Sequence, residues 1–174
     1  MEDEKAGETE KRDEFIYELI ADRFRLEWQR TNNLDGKASS VIGFVGIILS
    51  LEAGLGGFLL KEISKTSECY VLLCFLFLLG LVFLMYSILC GLKAYGVKTW
   101  SVVPDPDYLI EEYAKNKDRS RTEILKKVSR EISESAKENS VTNEEKAKFI
   151  KYAFTFFVLG IGMTILFICG LLLV

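Results

Sequence analysis

The 174-residue chain contains no histidine. That absence removes the commonest metal ligand and the usual general base at neutral pH, and so argues against a zinc enzyme or a His-dependent hydrolase. A basic surplus is also missing: the net charge is −3, which offers nothing to hold a nucleic-acid backbone. The four cysteines, Cys69, Cys74, Cys90 and Cys169, make no CxxC pair, which excludes the usual structural zinc spacing. They lie in or at the end of apolar segments, where a free thiol packs as a small hydrophobe. The opening MEDEKAGETEKRDE has no apolar core, so it does not read as a cleavable signal peptide. A Gly-rich phosphate loop, GxSxG, HExxH and an EF-hand pattern are all lacking. The sequence therefore predicts no enzyme, no metal and no cofactor.

What is present is segregation. Almost half the residues are apolar and more than a quarter are charged, yet the two classes occupy separate blocks. Three apolar runs stand out: 38–60, 69–92 and 152–174, of 23, 24 and 23 residues. A bilayer core of about 30 Å needs about 20 apolar residues in a helix. Inside lipid only helices or closed barrels satisfy their backbone hydrogen bonds, and continuous apolarity rather than alternation selects helices. The expected fold is an all-α membrane protein. It has three transmembrane helices, arranged as a hairpin plus a C-terminal span, and a cytoplasmic helical extension.

Segment 61–68 is short enough to force a tight external hairpin loop, whereas 93–151 is a long polar segment. Segment 1–37 and segment 93–151 together hold 20 of the 22 Lys and Arg residues. The positive-inside rule puts both in the cytoplasm, with the short loop and the C-terminus outside a cell (inner) membrane.

The cytoplasmic parts read as helical. Phe15, Ile16, Leu19, Ile20, Phe24 and Trp28 share one face of a helix over 13–30, expected to pack on neighbours rather than lie on lipid. Asn32-Asn33-Leu34-Asp35-Gly36 reads as a turn-like break. Pro104-Asp105-Pro106-Asp107 predicts a turn and helix start, with an apolar patch at Tyr108, Leu109 and Tyr113 and a charged stretch at 116–121. Helical periodicity resumes at Ile124, Leu125, Val128 and Ile132. Polar 133–143 reads as a second break, and Asn143 as the cap of a last helix running into the third span, with Glu144 and Glu145 in its first turn.

The first span carries the most unusual pattern. Ser39, Gly43, Gly46, Ser50, Gly54 and Gly57 place six small residues on one helical face. Such a seam allows close helix approach, either within the chain or to a second copy. The second span has small residues only at Gly80, Ser87 and Gly91 and reads as lipid-facing. Glu52 is an intramembrane acid with no basic residue inside any span to pair with it. A charge there costs several kcal/mol, so Glu52 is protonated, hydrogen-bonded to another helix or wetted. Two readings follow: a pore or proton-sensitive position, or a residue tilted towards Lys61 and Lys65 at the outer interface.

The string Leu34 to Ser50, LDGKASSVIGFVGIILS, resembles the Asp-x-Lys-Ala-Ser lead into the first span of the membrane effector domain of Pycsar antiviral systems. Asn143-Glu-Glu-Lys146 is similar to the Asn-x-x-Lys lead into that domain's final span. The layout is shared more loosely with the SLATT group of small prokaryotic membrane effectors. The resemblance implies a prokaryotic defence protein whose partner cyclase makes a cyclic nucleotide after phage infection. It carries Asp35, Lys37, Ala38 and Ser39 over as motif positions, with Asp35 and Lys37 read as an interfacial pair that sets the depth of the span. A separate cyclic-nucleotide-binding domain is not recognisable. The expected function is a non-enzymatic, oligomerising membrane effector that perturbs or permeabilises the membrane. Its partners are the bilayer, further copies of itself, and a cyclic nucleotide or cytoplasmic protein. The alternatives are a scaffold subunit that docks a soluble partner through its cytoplasmic helices, or a small ion channel built on Glu52.

Overall fold

In the computed structural model the residues described are 2–62, 68–96, 100–101, 107, 111 and 120–172. Three long helices account for nearly all of them: α1, Glu2–Glu62; α2, Glu68–Tyr95; and α3, Arg121–Leu172. Each contains a stretch long and apolar enough to cross a membrane, and no strand occurs among the described residues. The protein is an all-α membrane protein with three spanning helices. Pro104 to Pro106 of the expected turn, the patch at Tyr108, Leu109 and Tyr113, and most of 116–121 fall outside the described residues.

Both expected breaks are absent, and for physical reasons. α1 runs unbroken through Asn32 to Gly36, and no glycine adopts a positive φ. Asn and Gly inside a helix cost only about 0.5–1 kcal/mol each relative to Ala, which packing easily overrides. Here Leu34 and Ala38 are buried on the turns around the break. α3 likewise continues through 133–143. Its polar residues are buried contacts: Ser135, Asn139 and Asn143 are all less than a tenth exposed. Asn143 is therefore a mid-helix residue rather than a cap. The cap of α3 lies at Ser120, where the Glu123 amide donates to Ser120 Oγ (3.3 Å) and the Ser120 amide donates to Glu123 Oε2 (3.3 Å). This is the reciprocal capping box of an S-x-x-E sequence.

The chain divides into two compact units. Unit 1 comprises Met1–Asn32 and Val97–Glu144. Its helices meet through a mixed interior, in which Val128, Ile132 and Ala136 are buried beside Asp13, Glu27 and Thr31. The apolar face expected to pack on neighbours does so only in part: Ile20 and Phe24 are half-buried, whereas Phe15 is 60 % exposed, Leu19 55 % and Trp28 50 %. The buried side of α1 is the polar one, because its acids and Thr31 find partners on α3. Asn139 grips the backbone at Ser101 from both sides, accepting from its amide (3.0 Å) and donating to its carbonyl (2.9 Å). Arg121 donates to Glu10 (2.7 Å) and Glu14 (3.0 Å), and Trp28 meets Trp100 edge-on.

Unit 2, Asn33–Gly96 and Glu145–Val174, holds the apolar packing. One cluster gathers Val41, Val45, Leu84 and Ala153, and a second centres on Leu73 and Phe167. Among lipid tails these contacts gain little hydrophobic energy, so close fit and interhelical hydrogen bonds carry the association. Leu84 of α2 sits over Gly160 of α3, where a Cβ would come within 2.6 Å of it. Ser87 donates to the Ala153 carbonyl (2.7 Å). Gly80, Ser87 and Gly91 thus form the packed side of α2. Only the opposite side, with Val71, Leu72, Phe75 and Leu78 exposed, answers the expectation of a lipid-facing helix.

Candidate functional site

Three polar arrangements lie on the paired helices α1 and α3. In unit 1, Asn143 is fully buried. Its amide donates to the Glu27 carbonyl and to Glu27 Oε2, both at 3.0 Å. Its Oδ1 accepts from the Thr31 hydroxyl at 2.8 Å. Both amide protons and the carbonyl of Asn143 are therefore engaged, which makes its burial tolerable. Arg23 and Arg30 lie 3.3 and 3.6 Å from the Glu27 carboxylate and offset its charge.

In unit 2, Lys146 Nζ donates to Asp35 Oδ1 at 2.7 Å. The lysine side chain is 8 % exposed and the aspartate 32 %. Ala38, one turn on, is fully buried, whereas Lys37 and Ser39 are exposed. Asp35 therefore pairs with α3, not with Lys37. The two motif strings read separately from the sequence are brought together through this ion pair.

Deeper in unit 2, Glu52 is 1 % exposed. The Thr164 hydroxyl donates to its Oε1 and also lies 3.0 Å from the Gly160 carbonyl. Gly80 leaves room for the carboxyl, since a Cβ there would come within 3.3 Å of Oε1. Glu52 Oε2 is buried without a hydrogen-bond partner among the described residues. Of the options open at the sequence level, a bond to another helix is the one observed. Lys61 and Lys65 are not among the described side chains.

The small-residue face of α1 lies elsewhere. Ser39, Gly43, Gly46, Ser50, Gly54 and Gly57 are all exposed in the single chain. No atom lies within 4 Å of where a Cβ would stand at Gly43, Gly46, Gly54 or Gly57. Ser50 turns its hydroxyl back onto the Gly46 carbonyl (3.0 Å). Sequence reasoning missed Glu27, Thr31 and Asn139, and it marked Thr164 only as a small position able to accept another helix, not as the partner of Glu52. A usable signal was the spacing of Glu27 and Thr31, four apart, which places an acceptor and a hydroxyl on one helical face.

These features define a multi-pass helical membrane protein whose first and third helices are tied by buried polar contacts. Residues 28–174 match the family model of the Pycsar effector protein domain, PycTM, and the chain belongs to that family. The match contains Asp35, Asn143 and Lys146, and it makes this a membrane effector of antiviral defence. No curated protein and no solved structure matches the chain.

Proposed function

We propose that the protein is a non-enzymatic effector that self-associates in the inner membrane and permeabilises it when a cyclic-nucleotide signal of infection arrives. The observation that carries the reading is the open small-residue face of α1. On the other two helices Gly80, Gly91, Gly160 and Gly170 are met by intrachain neighbours, as Leu84 fills Gly160 and Leu73 fills Gly170, and Gly162 is open. The α1 seam has no such occupant, and a second copy of α1 fits it by the packing common to membrane helices. The charge distribution supports a cytoplasmic placement of 1–37 and 93–151, where a signal made in the cytoplasm would reach them.

The test is Gly46→Leu and Gly54→Leu in the full chain. Both sites are open, so the monomer should fold, while the added side chains hold a second helix away. The expected result is loss of oligomers in lipid together with loss of toxicity and of membrane depolarisation. Unchanged oligomers and toxicity would sink the proposal.

A second reading is favoured by Phe15, Leu19 and Leu26, each more than half exposed on α1 outside the apolar span. Such residues suit docking of a soluble protein partner. Stoichiometric co-purification of a partner, lost in Leu19→Glu and Leu26→Glu, would support this scaffold role.

A further inference from the structure

The three spans of unit 2 pack as a triangle. Ile42 and Phe77 show α1 and α2 running antiparallel, the one against Gly91 and the other against Gly56. Leu84 and Leu73 of α2 stand against Gly160 and Gly170 of α3, so that pair is antiparallel too. The Glu52 carboxyl reaches both Gly80 and Thr164, which puts these three residues at one depth in the bilayer. On the side away from α2, α1 and α3 leave an open apolar groove of about 570 Å³. Leu51, Gly54 and Leu55 line it from α1 and Ile161, Thr164 and Ile165 from α3, and no described residue of α2 takes part. The groove is therefore centred on the depth of Glu52 and Thr164.

α2 carries the matching relief. Its buried stripe, Leu73, Gly80, Leu84, Ser87 and Gly91, faces the bundle. Val71, Phe75, Leu78, Val82, Met85 and Leu89 stand exposed at spacings of 4, 3, 4, 3 and 4. At 3.6 residues per turn the exposed stripe lies opposite the buried one. Alternation of 3 and 4 is the heptad spacing of side chains that insert as knobs into a neighbouring helix surface. Leu78 and Val82 flank Gly80 in sequence, so the stripe has knobs at the depth of the groove.

We infer that a second copy of this chain occupies the groove, with the α2 stripe of one protomer laid between α1 and α3 of the next. Residues 69–92 and 152–174 contain no Asp, Glu, Lys or Arg, so no charge opposes the contact. Six large side chains, each about half exposed or more, leave on the order of 600 Å² on the stripe. An equal area opposite brings the contact to about 1,200 Å², where stable interfaces begin. Lipid tails are as apolar as these side chains, so the gain comes from the fit of knobs into the groove. The two faces lie on opposite sides of the bundle, which makes the contact head-to-tail. Each copy offers its stripe to one neighbour and its groove to another. Such a contact propagates into a ring or an open array, whereas the α1 seam, meeting itself about a two-fold axis, stops at two copies. That copies meet in the membrane at all rests on the functional reading above. Which faces meet rests on the groove and the stripe.

The test is cross-linking in membranes of a full chain whose native cysteines are replaced and which carries Leu78→Cys and Ile165→Cys, both exposed positions. A disulfide needs Cα atoms within about 7 Å, and the bundle stands between these two, so none forms inside one chain. Oxidation with copper phenanthroline should give a ladder of dimers, trimers and larger species. Either single variant alone should stay monomeric. If Leu78→Cys alone cross-links as well as the mixed pair, like faces meet and the head-to-tail contact is refuted. If Gly46→Cys forms dimers but the mixed pair does not cross-link, the seam stands, this contact is refuted, and lipid is left to fill the groove. If neither cross-links, both readings fall. A second variant needs no cysteine replacement. Ile165→Trp fills the groove from an exposed position and leaves the seam untouched, whereas Gly54 belongs to both surfaces. In lipid, Ile165→Trp should form dimers and nothing larger, and the unaltered chain should form larger assemblies. Assemblies of unchanged size in Ile165→Trp would overturn the inference.

Discussion

At the scale of single residues, the ion pair between Asp35 and Lys146 carries an asymmetry that can be measured. The lysine is nearly buried and the aspartate is about one-third exposed. Removing the aspartate leaves a buried ammonium with no counter-charge, whereas removing the lysine leaves a carboxylate that water can reach. Asp35→Ala should therefore destabilise the protein by about 3 kcal/mol and Lys146→Ala by about 1 kcal/mol. Thermal unfolding in detergent would check the order, and equal losses would count against the burial argument. Glu52 and Thr164 allow a similar comparison. Glu52→Gln keeps an acceptor for the Thr164 hydroxyl, while Thr164→Val strands the buried carboxyl. Thr164→Val should cost about 1 kcal/mol more, the scale of an interhelical hydrogen bond in a membrane protein. Asp35, Asn143 and Lys146 were legible as motif positions, and Glu52 as an anomaly. Their partners were not, because pairing residues over a hundred positions apart depends on helix register that one sequence does not reveal.

At the scale of the helix, the runs that looked like breaks are the places where α1 and α3 touch through polar groups. Local propensity is a weak force of a few tenths of a kcal/mol per residue, and a bonded, buried Asn139 or Asn143 outweighs it. The apolar periodicity of the spans was legible because lipid imposes it along the entire length. The face of α1 carrying Phe15 and Leu19 was misleading for the opposite reason: its polar side had the better partners. The glycines of the bundle make a further contrast. Gly160 is occupied by Leu84, with a Cβ position 2.8 Å from Leu84 Cγ, whereas Gly46 is open. Gly160→Ala should destabilise the bundle by about 1–3 kcal/mol through overpacking. In a Leu84→Ala background the added loss from Gly160→Ala should be smaller, while Gly46→Ala should leave stability within about 0.5 kcal/mol. Denaturation of the wild type, Gly160→Ala, Leu84→Ala, their double variant and Gly46→Ala in one detergent gives the comparison, and additive losses in the double variant would exclude the contact as the cause.

For the molecule as a whole, the partition into two units constrains the membrane topology. Met1–Asn32 and Val97–Glu144 pack into one compact unit, joined by contacts such as Arg121 with Glu10 and Glu14. A single packed unit of charged helices is not divided by a bilayer, so we propose that both segments lie on the same side. The distribution of basic residues supports the proposed cytoplasmic placement. The prediction is made with a chain whose native cysteines are replaced and which carries one new cysteine, either Glu8→Cys or Glu138→Cys, both exposed positions of unit 1. In intact cells neither should react with a membrane-impermeant maleimide, and both should react after the inner membrane is opened. If one position reacts from outside and the other from inside, the packed unit is wrong. If both react from outside, the packing stands and the charge argument for orientation falls. The two components of the topology, one drawn from the fold and the other from charge, are thereby tested separately in the same pair of variants.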